Sequence, residues 1–429
     1  MNILIPVETS SRELLYKTYL AHLLAMQGFD CFVGSKSRIN VLMHRFKNYI
    51  YFDKGYHKGK SEGIYKIVKS RNGFIISLDE EGAVDYSDNR TLLKRYSRQL
   101  FDLVDIVFLW GEKQKEIINP TDIMNSKIIV SGHPRFELLK PEFQVFYNEE
   151  AKCFKKKYGK FILINTNMGF GNNIKGNEFV REGYGKWYNQ IDEIIDYDKI
   201  KLDAYITFIK QLSESYNGNI IIRPHPEEDA SIYDKQLDNL KNVIVINKGS
   251  VVPWIIASEL MIHPDCTTSI ESFFLGKKPI SFLPKSNNTS HITKLPLIIS
   301  SCINDFKDFE HTLNNNTVDT NNLKVINEYF SYDKDSSNII ANEICNYASK
   351  LQKLPYLPMT LSDRIYLNMK GLSRKLNMKK SKHLSISKLS GFTKVEVLRI
   401  SNRFIEYNNK FRCVKISTIA DKLFCFSKH

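Results

Sequence analysis

Two successive series of short apolar runs, each alternating with helical stretches, constrain this chain more than any other feature. The first series comprises Asn2–Val7 (NILIPV), 31–33, 49–52, Phe74–Leu78 (FIISL), 106–110 (IVFLW) and Lys127–Val130 (KIIV). Helical patterns lie between them, among them residues 12–27, amphipathic and stopped by Gly28. The second series comprises Phe161–Asn165 (FILIN), Asn219–Arg223 (NIIIR), 243–246, Leu260–His263 (LMIH) and 279–283 (PISFL), with helices expected at 202–216, 252–258, 305–313 and 338–351. Runs this short and this apolar suit strands buried on both faces, so each series predicts a parallel sheet covered by helices. Ligands of such sheets gather beyond the carboxyl ends of the strands, and the chemistry of this chain is to be sought there.

A length of 429 residues is more than one core accommodates, and two domains with an appendage are expected. The expected boundaries are 1–145, 146–350 and 351–429, with the charged, aromatic segment 140–157 as linker. Two Rossmann-like doubly wound domains facing a cleft form the GT-B plan, and the fold class is read as α/β of that kind with a basic helical C-terminal extension. The net charge of +14 belongs to the extension: from residue 351 onward there are 17 Lys and Arg against 4 Asp and Glu. An enzyme of nucleic acid would spread such charge around its cleft, so no nucleic-acid partner is expected. Residues 361–378, 395–404 and 414–426, with Lys379-Lys380-Ser381-Lys382 among them, interleave apolar and basic side chains and suit helices lying on an anionic membrane surface. The plainer alternative is a soluble helical extension packed on the second domain. No segment reaches the roughly 18 apolar residues of a spanning helix, and the first apolar run is too short for a signal-peptide core. The expected location is cytoplasmic, peripheral on the inner face of the membrane. Seven scattered cysteines without a CxxC pair read as reduced thiols.

Three strand ends of the second half carry candidate chemistry. After Leu260–His263 comes Pro264-Asp265-Cys266-Thr267-Thr268-Ser269-Ile270-Glu271. Thr267, Thr268 and Ser269 are expected at the N-cap and first turn of a helix, where free N–H groups and hydroxyls can hold a phosphate, with Glu271 turned to a ribose. An ordinary capping box, Thr268-Ser269-Ile270-Glu271, is the bland alternative. The second end is Arg223-Pro224-His225-Pro226-Glu227, in which flanking prolines fix the backbone and present Arg223 and His225 toward a leaving phosphate, or simply build a turn. The third is Asn165-Thr166-Asn167-Met168-Gly169, a polar loop that fits a phosphate or an acceptor and matches neither GxxxxGK[ST] nor GxGxxG. In the first half, Asp79, Glu80 and Glu81 follow an apolar strand and offer a nucleophile, a general base or a solvated turn. Glu8 and Ser10 follow the first strand and suit acceptor contact or capping, whereas His133-Pro134-Arg135 reads as structural. No DxD stands at a strand end, so neither metal nor cofactor is expected, and a phosphate is to be neutralised by Arg, His and backbone N–H groups.

Taken together, MNILIPVETSSREL, SLDEEG, SGHPRFELL, RPHPEE and HPDCTTSIESFFLGKKPISF resemble a bacterial family of surface-carbohydrate (capsule, O-antigen) biosynthesis proteins over roughly residues 1–300. That family is similar to GT-B transferases that use CMP-activated ulosonic acids such as Kdo. The resemblance implies a nucleotide-sugar donor, a glycan or glycolipid acceptor, donor contacts through Arg223, His225, His263, Thr267, Thr268, Ser269 and Glu271, and acceptor or cleft loops at Glu8, Ser10, Asn165 and Asn167. It also implies an acidic nucleophile in the first domain, for which Asp79 is the choice and Glu80 and Glu81 are close rivals; His225 completes the catalytic set. A CDP-glycerol or CDP-ribitol transferase, a sugar-nucleotide epimerase of the same architecture, and a non-catalytic membrane-docked assembly protein remain the competing readings.

Overall fold

The computed structural model describes residues 1–83, 89–118, 126–186, 188, 190–285, 291–313, 320–351, 359–363, 365–367, 369 and 388–429. The run Lys379-Lys380-Ser381-Lys382, read as membrane-facing, lies outside the described residues. Two compact units emerge: Met1–Gly82, Asn89–Leu138 and Lys324–His429 form the first, and Leu139–Leu323 the second. Each is an α/β unit of Rossmann type.

In the first unit, strands β1 (Asn2–Val7), β2 (Asp30–Ser35), β3 (Ile50–Asp53), β4 (Phe74–Leu78), β5 (Ile106–Leu109) and β6 (Lys127–Val130) pair in parallel in the order β2-β1-β3-β4-β5-β6. Chain order reverses between β1 and β3, so the ends of those two strands flank the switch point where open sheets bind ligands. One face of the sheet packs Leu4, Tyr51, Ile75 and Val107 against helices Lys36–Arg45 and Ser61–Ser70. The other face is covered by helix Ser10–Met26. That helix is not amphipathic as its sequence suggests: Thr18 and His22, on the side away from the sheet, are buried as completely as Leu20. Helix Lys394–Tyr407 covers it, with Phe404 against Tyr19 at 4.9 Å, and Phe411 of the turn Asn409–Cys413 that follows lies against His22 at 5.0 Å.

The C-terminal region therefore belongs to the first unit rather than trailing from the second. Helix Ser336–Ser349, placed by sequence within 146–350, also packs in the first unit, its N-terminus held by the Glu137 carboxylate accepting from Ser337 N at 2.7 Å and Ser337 Oγ at 2.5 Å. Residues 414–426, expected as a helix, form instead a hairpin of β13 (Val414–Ala420) and β14 (Leu423–Lys428), with β14 antiparallel to β2 at the sheet edge. The alternating, β-branched run VKISTIA suits a strand, and Lys422 takes the left-handed φ of 56° that closes the turn. The stretch 395–404, expected to be helical, lies within helix Lys394–Tyr407.

In the second unit, β7 (Phe161–Asn165), β8 (Asn219–Arg223), β9 (Val243–Val245), β10 (Leu260–His263), β11 (Ile280–Phe282) and β12 (Ser301–Ile303) form a parallel sheet ordered β12-β11-β10-β7-β8-β9. Renumbered within the unit this is the 3-2-1-4-5-6 order of dinucleotide-binding sheets, with its switch point between β7 and β10. Ile162, Ile164, Ile220 and Ile222 pack on Tyr205, Phe208 and Ile209 of helix Ile191–Ser215; Phe161, Leu163 and Ile221 pack on Trp254 and Ile255 on the other face. The segment read as a linker is largely helix Val145–Tyr158, and Phe154 stacks on Trp254 at 3.9 Å. Its aromatic content is core, not spacer.

Candidate functional site

In the second unit the loops after β7, β8 and β10 are tied together at the switch point. Asn165 Nδ2 donates to Thr268 Oγ1 at 3.1 Å, and Asn167 Nδ2 donates to Asp265 Oδ1 at 3.0 Å, joining the β7 loop to the β10 loop. The side-chain amide oxygens (Oδ1) of Asn165 and Asn167 and Ser269 Oγ are buried without a hydrogen-bond partner. Such groups are costly unless paired, so they mark places where a polar ligand or water is wanted. Thr267 and Thr268 open helix Thr268–Phe274 as expected, yet Thr267 makes no side-chain cap, and Thr268 Oγ1 donates to Cys266 Sγ at 3.2 Å. Glu271 is buried on the inner side of this helix.

The β8 loop is held by a residue that the sequence reading passed over. Glu228 lies buried and accepts from Thr166 Oγ1 (2.8 Å), Met168 N (3.0 Å), His225 N (3.1 Å) and Tyr233 Oη (2.6 Å), so one carboxylate fixes both the Asn165–Met168 turn and the backbone of His225. Burial raises its pKa, and the hydrogen bonds from Tyr233 and Thr166 oppose that shift. The His225 ring approaches Gly169, where a Cβ would stand 3.5 Å from Nδ1. The only sequence signal for Glu228 was its place after His-Pro-Glu, which does not distinguish it from Glu227.

Two expected donor residues are engaged within the unit. Arg223 donates to the carbonyls of Lys248 (2.8 Å) and Gly249 (3.0 Å) and lies 5.4 Å over the Trp254 ring; burial lowers its pKa to about 10. His263 is fully buried, with Nε2 2.9 Å from Ser300 Oγ and Nδ1 accepting from Cys266 N at 3.2 Å; burial lowers its pKa to about 3, so it is neutral. Asn165, Asn167, Thr268 and His225 are thus drawn to one loop cluster, while Arg223 and His263 brace it from inside. Behind the cluster, Lys201 bridges Asp198 at 2.7 Å and Asp265 at 3.7 Å, and Asp198 accepts from Phe170 N at 2.9 Å.

In the first unit the three acids after β4 separate into distinct roles, because alternate residues leave the strand on opposite sides. Glu80 turns inward. Tyr16 Oη donates to it, Lys17 Nζ lies 3.1 Å away, and Lys17 also binds Glu13 Oε2 at 2.7 Å and donates to Pro6 O at 2.8 Å. Burial disfavours the Glu80 charge, but Lys17 and Arg12 keep its pKa low. Its Oε2 has no hydrogen-bond partner and stands 3.8 Å from His133 Nε2, which burial keeps neutral. His133 Nδ1 accepts from Arg135 N at 3.0 Å. Asp79 is buried too: Oδ2 faces Arg95 Nη1 at 3.3 Å and Oδ1 accepts from Glu81 N at 3.1 Å. Gly55 approaches so closely that a Cβ there would meet Asp79 Oδ1 at 2.6 Å.

Glu81 alone of the three reaches solvent, its side chain 39% exposed. It stands between Arg95 (3.0 Å) and Arg12 (3.9 Å); against the effect of burial, Arg95, Arg12, Lys54 and His57 lower its pKa. Glu8 lies at the neighbouring strand end with Lys54 at 2.7 Å and Lys36 at 3.6 Å, and these with Lys388 hold it at about 2 although burial pushes the other way. Ser10 Oγ donates to the carbonyls of Lys388 (3.2 Å) and Ser390 (2.5 Å). Among the described residues, no three His, Cys, Asp or Glu side chains are grouped as a metal ion requires.

No family model matches the chain, and no curated protein matches it in sequence. Solved structures resemble it in fold. The UDP-GlcNAc 2-epimerase of Methanocaldococcus jannaschii, in complex with UDP-GlcNAc and UDP, superposes with a TM-score of 0.52 at 14% identity, covering 81% of this chain and 100% of that one. The UDP-GlcNAc 2-epimerase of Neisseria meningitidis gives 0.48 at 12% identity, over 81% and 100%. The wall teichoic acid polymerase TagF gives 0.45 at 13% identity, over 82% and 90%. The chain has the GT-B type of fold, with two Rossmann-like domains.

Proposed function

We propose that this chain is a nucleotide-sugar-dependent transferase of surface-carbohydrate synthesis. In this reading it moves a sugar, first of all an ulosonic acid from a CMP donor, onto a polysaccharide or its lipid-linked precursor, without a metal. The observation that carries the proposal is the polar loop cluster at the β7/β10 switch point, with buried, unpartnered oxygens on Asn165, Asn167 and Ser269. The nucleotide lies along this cluster, with His225 at the departing phosphate and the hydroxyls of Thr267 and Thr268 beside it. In the first unit Glu81 acts on the sugar or the acceptor, Asp79 aligns Arg95, and Glu80 anchors the acid turn. This replaces the sequence preference for Asp79, since Asp79 is buried in its ion pair and Glu81 is not.

Thermal protection by a panel of CMP, CDP and UDP, followed by mass spectrometry with donors of the protecting nucleotide, tests the reading. CMP protection with mass added to a glycan acceptor supports it. CDP protection with transfer of glycerol phosphate favours the polyol-phosphate alternative. A donor-derived product of unchanged mass identifies an epimerase, whose fold this chain shares. If no nucleotide protects, enzymatic use of a nucleotide donor is excluded and the assembly-protein reading gains. Peripheral attachment to an anionic membrane is part of the proposal. It is supported by Leu361, Ile365 and Met369, which recur at helical spacing and are 74%, 53% and 64% exposed; no helix among the described residues is long and apolar enough to cross a membrane.

A further inference from the structure

We infer that the carboxyl edge of the first sheet binds an anionic, phosphate-bearing acceptor, and that residues 388–390 of the C-terminal region help to build that site. The word acceptor rests on the transferase reading; the anion site rests on the first unit alone.

Cations reach this edge from five separate places in the sequence: Arg12 in the first turn after β1, Lys36 after β2, Lys54 after β3, Arg95 on helix Arg90–Arg95, and Lys388. Glu8, Asp79 and Glu81 oppose them. The deeper set of Glu13, Glu80, Lys17 and Arg135 balances itself and faces inward. Asp53, buried at the end of β3 and pushed up to about 6, also stays ionised at neutral pH, so the edge is left with an excess of one positive charge, which favours an anion such as a phosphate monoester.

Two of these cations are loosely held. Lys36 is 51% exposed at its side chain and stands 3.6 Å from Glu8, outside hydrogen-bond range. Arg12 stands 3.9 Å from Glu81, and its Nε has no hydrogen-bond partner. Neither needs to break a short ion pair to accept a ligand oxygen. The third feature is the C-terminal segment. Ser10 grips the carbonyls of Lys388 and Ser390, while Lys422 Nζ holds that of Leu389 at 3.5 Å. A stretch that sequence assigns to a membrane tail is thereby fastened at the mouth of β1, and its lysine adds to the field around Glu8. Neutral sugars need no such field; a phosphorylated sugar or a lipid pyrophosphate does.

Calorimetry on the full chain with inorganic pyrophosphate at low salt tests the inference, run with a saturating nucleotide so that the second unit is occupied. Binding is expected to persist and to weaken about tenfold or more in Lys36→Gln/Lys388→Gln, the loss of one charge-assisted contact being enough for that factor. Arg412→Gln/Lys415→Gln, equal in charge and set at the start of the C-terminal hairpin and in the turn before it, is the control and is expected to bind as the unaltered chain does. Complete displacement of pyrophosphate by nucleotide, or equal affinity of the two double variants, overturns the inference. Competition with glucose 1-phosphate and with a polyprenyl pyrophosphate in micelles separates a soluble from a lipid-borne source, and competition by neither counts against an acceptor role. A chain that binds pyrophosphate through Lys36 and Lys388 but binds no nucleotide sinks the transferase reading and leaves the anion site. Nucleotide binding with pyrophosphate binding indifferent to the double substitution does the reverse.

Discussion

The carboxyl edges of the two sheets solve the same problem with different materials. In the first unit the strand ends carry formal charge: Glu8, Asp79 and Glu81 stand among Arg12, Lys36, Lys54 and Arg95, over a buried Glu13–Lys17–Glu80 core. In the second unit the loops meet through amides, hydroxyls and neutral His263, with Glu228, which touches no cation within salt-bridge distance among the described residues, tying two of them together. Formal charge lies behind them, in the Asp198–Lys201–Asp265 pairs and in Arg223. Charge acts over distance and is screened by salt; amide and hydroxyl contacts act only at hydrogen-bond range. The first edge is therefore suited to attracting an ion, and the second to contacts made at hydrogen-bond range.

Four measurements break or sharpen this contrast, in order of expected effect on stability. Lys17→Met leaves Glu13 and Glu80 buried without their shared cation and should cost about 3–5 kcal/mol by chemical denaturation; a loss below about 1 kcal/mol would mean that the charged core is not what holds the first edge. Acid should act next. Burial lowers the pKa of His22 from an ordinary 6.5 to about 4, so the unfolded chain takes up this proton before the folded chain does. Its contribution, about 3 kcal/mol, is complete above pH 6.5 and disappears as pH falls toward 4, detaching the C-terminal helix from helix Ser10–Met26. Denaturation at pH 7 and pH 5 should show a smaller difference in His22→Gln than in the unaltered chain, and an equal difference contradicts the assignment.

Glu228→Gln puts an amide donor where four donors converge and should cost about 1–3 kcal/mol, with loss of nucleotide protection as the loop cluster loosens. Protection retained at full strength separates Glu228 from the site. The smallest effect on stability belongs to Glu81→Gln, within about 1 kcal/mol because this group is partly exposed, while transfer should be abolished. Asp79→Asn provides the contrast: if turnover survives Glu81→Gln and falls only in Asp79→Asn, the buried acid is the reacting group after all.

Much of the architecture was legible from the residues. Uniformly apolar runs such as FILIN and NIIIR could be buried on both faces in only one kind of sheet, and both became central parallel strands. The polar strand ends were legible for the same reason, since residues after a buried run emerge at the sheet edge. What misled was helical spacing in the C-terminal region. In 414–426 a period of two and a period of 3.6 both fit a short stretch, and the free edge of β2, which decides between them, is nearly 400 residues away in sequence. The tying of Ser10 to Lys388 and the choice among Asp79, Glu80 and Glu81 were hidden likewise, because each depends on partners that no local pattern announces.

The sequence alone determined that this chain forms two α/β units, and at which strand ends its polar groups emerge, because burial of apolar surface is a local property of composition and period. Only tertiary structure decided that the basic C-terminal region belongs to the first unit, that Arg223 and His263 brace the loops from within, and that Glu81 is the acid left open. Those outcomes turn on which distant group satisfies a buried charge or hydrogen bond, and that competition is settled when the whole unit closes around its core.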